Sequence, residues 1–379
     1  LAPSDGVLLD PFCGSGTVLV EGQFSNLRVL GADSNPLARL IATAKLTQVD
    51  LIASARELDA VMSSAPILAP NVPDVINRAH WFSDKVSDRL GRLRAAILAV
   101  VDPTRRPFFD MCFSVTVRRV SFADPRLSVP VRINPDRADN YGAKGEEVLR
   151  KYRLLEKADV LKCFWAVASA NLRRAGEAQQ HITRREKFEI FDNAMHLPLP
   201  DESVDLVVTS PPYVGAQKYV RASSLCLGWL GMTPQAKLRP LERLSIGREH
   251  LDLSEGLSSE IVVPAADDII RKVSTVNTTR ARIAQRYLIE MRQAVSEIAR
   301  LLKSGGHLVL VVGPNLVSGQ VFDTPAYIEE LCADAGLTTK VHLIDTIRSR
   351  GLMTKRNRTA GLIAQESVFL MQKCHQHAA

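Results

Sequence analysis

Two short stretches of the 379-residue chain hold residues whose types and spacing suit chemistry. The first is Asp10-Pro11-Phe12-Cys13-Gly14-Ser15-Gly16-Thr17. Its glycines let the backbone come close to a ligand and adopt positive φ, which a nucleotide-like cofactor requires at a strand-to-helix turn. A lone Gly-x-Gly is otherwise an ordinary turn. Asp33, in Gly31-Ala32-Asp33-Ser34-Asn35-Pro36, adds weight, because a carboxylate ending the next strand about 20 residues on is where a ribose diol is held. The pair fits a dinucleotide equally well, so it does not choose the cofactor.

The second stretch is Thr209-Ser210-Pro211-Pro212-Tyr213, directly after the apolar run Val204 to Val208. Two prolines fix an extended turn without backbone donors. Such a turn aims carbonyl oxygens and the Ser210 hydroxyl at an amino group, while Tyr213 offers a face to a planar base swung out of its stack. In isolation the same four residues would read as a structural turn with Tyr213 in the core.

The elements that must position these motifs follow from the pattern. Strand, turn, helix, strand and helix succeed one another over residues 1–47, with strands at Val7 to Leu9 and Arg28 to Gly31 and helices at Thr17 to Gln23 and Pro36 to Thr47. That rhythm belongs to a parallel α/β sheet. It breaks over residues 50–185, where helical segments such as Ser83 to Val101 and Gly145 to Arg174 carry many arginines and two of the tryptophans, Trp81 and Trp165. Trp81-Phe82 and Phe164-Trp165 read as helix-packing core. The α/β rhythm resumes with strands at Phe188 to Phe191 and Val204 to Val208 and a helix from about Thr279 to Leu302 that stops at Gly305-Gly306. A strand at His307 to Val312, a helix at Pro325 to Ala335 and strands at Lys340 to Ile344 and Ser367 to Met371 complete it. The expected architecture is one doubly wound sheet, contributed by residues 1–49 and 186–379, with a mainly helical domain of residues 50–185 inserted after its second helix.

Composition narrows the function classes. With 46% hydrophobic and 23% charged residues, the chain has ample material for a packed core. No apolar run approaches the ~18 residues of a membrane span. Cys13, Cys112, Cys163, Cys226, Cys332 and Cys374 are scattered without a Cys-x-x-Cys pair, which suits reduced thiols in the cytoplasm and argues against a zinc ribbon or a disulfide scaffold. His250 and His307 lack ligand partners at metal spacing, so no metal is expected. A net charge of +7 is compatible with a polyanionic partner. The paired cations Arg118-Arg119, Arg173-Arg174, Arg184-Arg185 and Lys355-Arg356-Asn357-Arg358 favour a phosphate-facing groove. The chain opens at Leu1 without a signal or transit pattern and is read as a cut end.

Together the two motifs resemble the amino-methyltransferases that use S-adenosylmethionine to methylate exocyclic nitrogens of nucleic-acid bases. Asp10 to Thr17 is similar to that superfamily's cofactor loop, and Ser210-Pro211-Pro212-Tyr213 to its (D/N/S)PP(Y/F/W) catalytic motif. Leu197-Pro198-Leu199-Pro200-Asp201-Glu202-Ser203-Val204-Asp205 and Leu301-Leu302-Lys303-Ser304-Gly305-Gly306 resemble its connecting segments, in the same order. The resemblance covers residues 1–47 and about 186–372.

It implies a Rossmann-like class I methyltransferase sheet. It also implies that Asp10, Pro11, Phe12, Gly14, Gly16 and Thr17 frame the methionine part of S-adenosylmethionine and that Asp33 takes its ribose hydroxyls. An acidic residue after the third strand commonly meets the adenine; here that position falls on Asn193, with Asp192 one step earlier, and the pair stays open. A region usually N-terminal to the first strand is absent from this sequence, so an upstream segment or a second chain is expected to complete the pocket.

Ser210, Pro211, Pro212 and Tyr213 are the expected catalytic residues. The expected reaction is methylation of an exocyclic amine in double-stranded DNA, cytosine N4 in preference to adenine N6, in a restriction-modification or phage-defence setting. A C5-cytosine mechanism would need a cysteine nucleophile, typically after a proline, and none of the six follows one. Two alternatives stand beside this reading: an RNA guanine-N2 methyltransferase, whose cofactor loop is similar, and an inactive nucleic-acid-binding subunit of the same fold. Downstream, Tyr219 and Arg221 are candidates for the substrate side and Lys218 for a phosphate.

Overall fold

The structure is a computed structural model and describes residues 1–136, 142, 145–182, 188–215, 219–233, 237–251, 262–347 and 365–374. Its strands are β1 (Val7–Asp10), β2 (Arg28–Ala32), β3 (Glu189–Phe191), β4 (Val204–Thr209), β5 (Leu302–Val312), β6 (Asn315–Val317), β7 (Gln320–Phe322), β8 (Leu337–Thr346) and β9 (Gln365–Lys373). Seven of them form one sheet in the order β3-β2-β1-β4-β5-β9-β8, and β6 and β7 form a separate ribbon. The first five strands of the sheet run parallel, whereas β9 is antiparallel to both β5 and β8. The fold is therefore the expected doubly wound, Rossmann-like α/β sheet, ending at one edge in the antiparallel strands β9 and β8.

Two compact units divide the chain, one of Leu1–Ala42, Arg184–Lys218 and Leu241–Ala379, the other of Thr43–Thr183 and Tyr219–Pro240. Residues 219–240 thus lie with the helical unit, although the sequence places them in the sheet. Their pattern hid this because a buried Trp229 helix reads alike in either context.

In the sheet unit both faces are covered. Successive strand residues point to opposite faces. Leu8 and Val29 pack against the helix Thr17–Phe24, where a Cβ on Gly22 would lie 2.5 Å from Leu8 and 2.7 Å from Val29. Leu9 and Leu30 join the other face's core, shared with Tyr287, Leu288 and Met291 of the helix Thr278–Leu301 and Ile328 and Leu331 of the helix Thr324–Asp334. Each such fully buried side chain contributes about 1.5–3 kcal/mol.

The lower rim of the sheet is pinned by charge. Asp205 of β4 accepts from the Val7 amide (2.8 Å) and from Lys303 Nζ (2.7 Å), joining the starts of β1, β4 and β5. Arg300 donates to the carbonyls of Leu197 and Leu199 and pairs with Glu297, which in turn accepts from the Leu197 amide. This holds the Leu197-to-Ser203 connection against the helix that precedes β5.

The helical unit is built on the helices Leu51–Ser64, Asp84–Leu98, Arg105–Val120, Gly145–Glu156, Val160–Gln179 and Ser224–Trp229. Asp159 ends the continuous helix expected from 145 to 174, since its carboxylate accepts from the Lys162 amide and caps a new helix. Phe82 and Phe113 meet the buried Trp229 edge-on, and Phe164 is fully buried. Trp165 is instead 52% exposed, because the helix has already turned its neighbour inward, so it is not core. Arg118 also departs from expectation: its guanidinium donates to the carbonyls of Asp124 and Leu127 and braces that loop, while Arg119 is exposed. Arg184-Arg185, Lys218 and Lys355-Arg356-Asn357-Arg358 lie outside the described residues.

The β6–β7 ribbon was not anticipated. It turns through Ser318 (φ 50°) and Gly319 (φ 81°), a two-residue hairpin whose strands of three residues are too short to leave a periodic signature.

Candidate functional site

Strand order reverses between β1 and β4, and in open α/β sheets ligands bind beyond the carboxyl ends of the strands at such a point. β1 ends at Asp10 and β4 at Thr209, so both sequence motifs begin there. A direct bond joins them: the Thr209 hydroxyl donates to Oδ1 of Asp10 at 2.6 Å, between residues 199 apart in the chain.

Asp10 is buried, and its Oδ1 also accepts from the Phe12 amide at 3.1 Å. Burial raises its carboxyl from an ordinary value near 3.8 to about 7, against the lowering effect of the Thr209 and Phe12 bonds, and the nearby Asp33 adds to the rise. The loop then folds back onto β2. The Cys13 amide donates to the Ala32 carbonyl (2.8 Å) and the Gly16 amide to the Cys13 carbonyl (2.7 Å). Gly16, at φ 77°, lies so near the next helix that a Cβ would sit 2.8 Å from that of Ala42. Gly14, at φ 50°, faces open space, with nothing within 4 Å of where its Cβ would be. Pro11 is buried, Phe12 partly so, and Thr17 opens the helix with its side chain exposed.

Asp33 follows β2 and grips the same loop. Its Oδ2 accepts from the Gly14 amide (3.0 Å) and its Oδ1 from the Asn35 amide (2.7 Å). Each carboxylate oxygen keeps a further lone pair. Burial raises this carboxyl as well, opposed by the two amides and by Arg39. Arg39 itself donates to the carbonyls of Asp33 and Ser34, and the Ser34 and Ser245 hydroxyls lie 3.2 Å apart. At the next strand end, Asp192 and Asn193 are both exposed. Asn193 Oδ1 accepts from the Met195 amide at 2.9 Å, an Asx turn that directs the oxygen back to the chain.

At the end of β4, Ser210 is exposed, Pro211 buried, and Pro212 and Tyr213 partly buried. The Tyr213 hydroxyl donates to Oε1 of Glu366 on β9 at 2.8 Å. Asn315 Nδ2 donates to the Val214 carbonyl (2.8 Å) and Arg280 Nη1 to the Gly215 carbonyl (3.1 Å). Gly247, at φ 73°, lies against the Tyr213 carbonyl, where a Cβ would come within 2.5 Å of the oxygen.

The structure thus brings Asp10, Pro11, Phe12, Gly14, Gly16, Thr17, Asp33, Ser210, Pro211, Pro212 and Tyr213 to neighbouring strand ends of one sheet, with Asp192 and Asn193 one strand further out. Tyr219 and Arg221 belong to the helical unit. Sequence reasoning assigned no role to Thr209, Gly247, Arg280, Asn315 or Glu366. Thr209 alone had a local signal, its place before Ser210; the others are far away in the chain.

Cys13 is buried and its thiol pushed well up by desolvation, with Asp10 and Asp33 adding to the effect, so it stays protonated and inert as a nucleophile. Among the described residues no group of His, Cys, Asp and Glu is placed to hold a metal ion, and no helix is long and apolar enough to cross a membrane.

The groups at these strand ends suit what S-adenosylmethionine presents. The open side of Gly14 leaves room for backbone contact, and Asp33 offers a fixed two-oxygen acceptor for a diol.

Comparison with known proteins places the chain beside methyltransferases. No family model matches it. It is 27% identical over 348 residues to the Type II methyltransferase M.MvaI of Kocuria varians, covering 86% of this chain and 73% of that protein. Solved structures similar to it include a SAM-dependent methyltransferase from Methanosarcina mazei, at 11% identity over 99% of this chain and 95% of that one, with a TM-score of 0.33. A candidate DNA modification methylase from Thermus thermophilus, complexed with S-adenosyl-L-methionine, matches at 21% identity over 49% and 55% of the two chains, with a TM-score of 0.25.

Proposed function

We propose that this chain is an S-adenosylmethionine-dependent DNA methyltransferase that methylates an exocyclic amino nitrogen, cytosine N4 in preference to adenine N6. The observation that carries the reading is the Asp10–Thr209 bond, which ties a loop with an open glycine and a ribose-type carboxylate to a Ser-Pro-Pro-Tyr turn. The sequence similarity to a Type II methyltransferase supports it and favours a restriction-modification or phage-defence setting.

When bound, S-adenosylmethionine supplies an electrophilic methyl group on a sulfonium. Asp10, Phe12, Gly14 and Gly16 would frame its methionine part, with Pro11 and Thr17 closing the turn, and Asp33 would hold the ribose. Asp192 is the better acceptor for the adenine, since Asn193 directs its oxygen to Met195.

The target amine is weakly nucleophilic because its lone pair is delocalised into the base. Ser210 Oγ and the Pro211 carbonyl accept its hydrogens, favour a pyramidal nitrogen and raise its electron density. Tyr213 stacks on the extruded base. The rest of the acceleration comes from in-line positioning. Arg119 and Arg174, both exposed, are candidates for phosphate contact, and the helical unit is the proposed sequence reader.

The test is methyl transfer from labelled S-adenosylmethionine to unmethylated duplex DNA and to tRNA, followed by nucleoside analysis. Label in DNA as N4-methylcytosine is expected. N6-methyladenine would overturn the base preference, label confined to tRNA would favour the guanine-N2 reading, and no cofactor binding by calorimetry would leave only the scaffold reading. Ser210→Ala should lower kcat far more than it raises KM, because its bond strengthens as the nitrogen loses planarity.

A further inference from the structure

Glu366 has no part in the chemistry described so far, yet its carboxylate holds the phenol of Tyr213 at 2.8 Å across 153 residues of sequence. The backbone of that turn is already fixed. Asn315 holds the Val214 carbonyl, Arg280 holds the Gly215 carbonyl, and Gly247 lies against the Tyr213 carbonyl. What these contacts leave undetermined is the plane of the ring, set by two side-chain torsions. Tyr213 is only partly buried, so packing alone does not settle that plane as it does for the fully buried Phe322 or Phe369. A bond from the far end of the ring to a residue on a sheet strand fixes the ring axis, and because a phenolic O–H lies in the plane of its ring, the placement of the acceptor also selects that plane.

We infer that Glu366 is a positioning residue for base capture, orienting the Tyr213 ring through its hydroxyl so that the face is set before the base arrives. The inference rests on the proposed stacking role of Tyr213. A ring held in place does not lose rotational freedom on binding, and restoring that freedom to a side chain weakens capture roughly 3- to 10-fold. A ring acting by its face alone would leave Tyr213→Phe silent, whereas here the hydroxyl has a task and Tyr213→Phe should behave like loss of Glu366.

The experiment uses the full chain, labelled S-adenosylmethionine and duplex DNA from a methylation-deficient host. Parent, Glu366→Ala, Glu366→Gln, Tyr213→Phe, Tyr213→Ala and the Tyr213→Phe/Glu366→Ala double variant are compared for DNA KM, kcat, cofactor Kd and Tm. Glu366→Ala and Tyr213→Phe should each raise KM by roughly 3- to 10-fold with kcat and cofactor Kd unchanged. The double variant should be no worse than either single, since both remove the same bond. Glu366→Gln keeps an acceptor oxygen and should restore the parental KM. A parental KM for Glu366→Ala, or a double variant showing the product of the single effects, overturns the inference while Tyr213→Ala remains impaired. A lower Tm and a raised cofactor Kd accompanying the raised KM in Glu366→Ala, without rescue by Gln, would reduce Glu366 to a structural contact. If Tyr213→Ala itself has the parental KM, the stacking reading fails first and the inference with it.

Discussion

Asp10 and Thr209 end adjacent parallel strands, and a single 2.6 Å hydrogen bond between their side chains ties the Asp10–Thr17 loop to the Ser-Pro-Pro-Tyr turn. Both residues are buried, so the bond is shielded from water and its loss leaves Asp10 Oδ1 with the Phe12 amide alone. Thr209→Val keeps the side-chain shape and removes the donor. At pH 8, where Asp10 is ionised, a loss of about 1.5–3 kcal/mol in stability is expected, the range for a hydrogen bond to a charged group, measured by urea denaturation. Cofactor affinity should fall in parallel by calorimetry, whereas a variant as stable and as tight as the parent would mean that the two motifs are held together by packing alone.

Asp10 also makes stability depend on pH. Its carboxyl titrates near 7 in the folded chain and near 3.8 when exposed, so between those values the folded state holds more protons than the unfolded one. Stability contributed by this site therefore falls as pH rises from about 4 to 7 and is flat above. Asp10→Asn removes the ionisation. The variant should gain on the parent by up to about 4 kcal/mol at pH 8, and the two should converge near pH 4, by denaturation at several pH values. A difference independent of pH would show that Asp10 ionises normally.

Asp33 has a job in the fold and a proposed one in binding. Asp33→Ala removes the acceptor for the Gly14 and Asn35 amides as well as the proposed ribose contact. Cofactor binding should weaken by roughly 1.5–3 kcal/mol, read by calorimetry. Unchanged affinity would mean that the end of the second strand has been misassigned.

The two loop glycines should separate stability from binding. At Gly16 an alanine meets Ala42 at 2.8 Å and must hold φ 77°, so Gly16→Ala should lose about 2–3 kcal/mol of stability. At Gly14 there is open space and a φ of 50°, so Gly14→Ala should lose only about 1–2 kcal/mol while its methyl group enters the space proposed for the cofactor. Thermal denaturation and cofactor titration of both variants read the contrast, and equal effects on both measurements would remove it.

Arg118 and Arg119 should part company although they are neighbours. Arg118→Ala is expected to cost about 1–2 kcal/mol of stability, because carbonyls of Asp124 and Leu127 lose their donor, with little change in the salt slope of DNA binding. Arg119→Ala should leave stability alone and reduce that slope by about one. Filter binding across a salt series distinguishes them, and a reversed pattern would mean that the 124–127 loop does not need its brace.

Much of this protein was legible in the sequence because its signals are local. Asp10 to Thr17 and Ser210 to Tyr213 advertise themselves through glycine and proline, whose backbone restrictions act within a turn whatever surrounds it. The alternation of strands and helices was readable for the same reason, since burial on both faces leaves apolar runs such as Val204 to Val208. Asp33 could be found by counting, because a short strand–helix–strand unit has little freedom in length.

What only the tertiary structure decided are relations across long separations. No pattern links Thr209 to Asp10 or Tyr213 to Glu366, because strand order, not sequence order, makes them neighbours. The division of labour between Arg118 and Arg119, the exposure of Trp165 and the grouping of residues 219–240 with the helical unit were equally out of reach. Each depends on which side of an element faces another, and composition is the same whichever way a helix is turned.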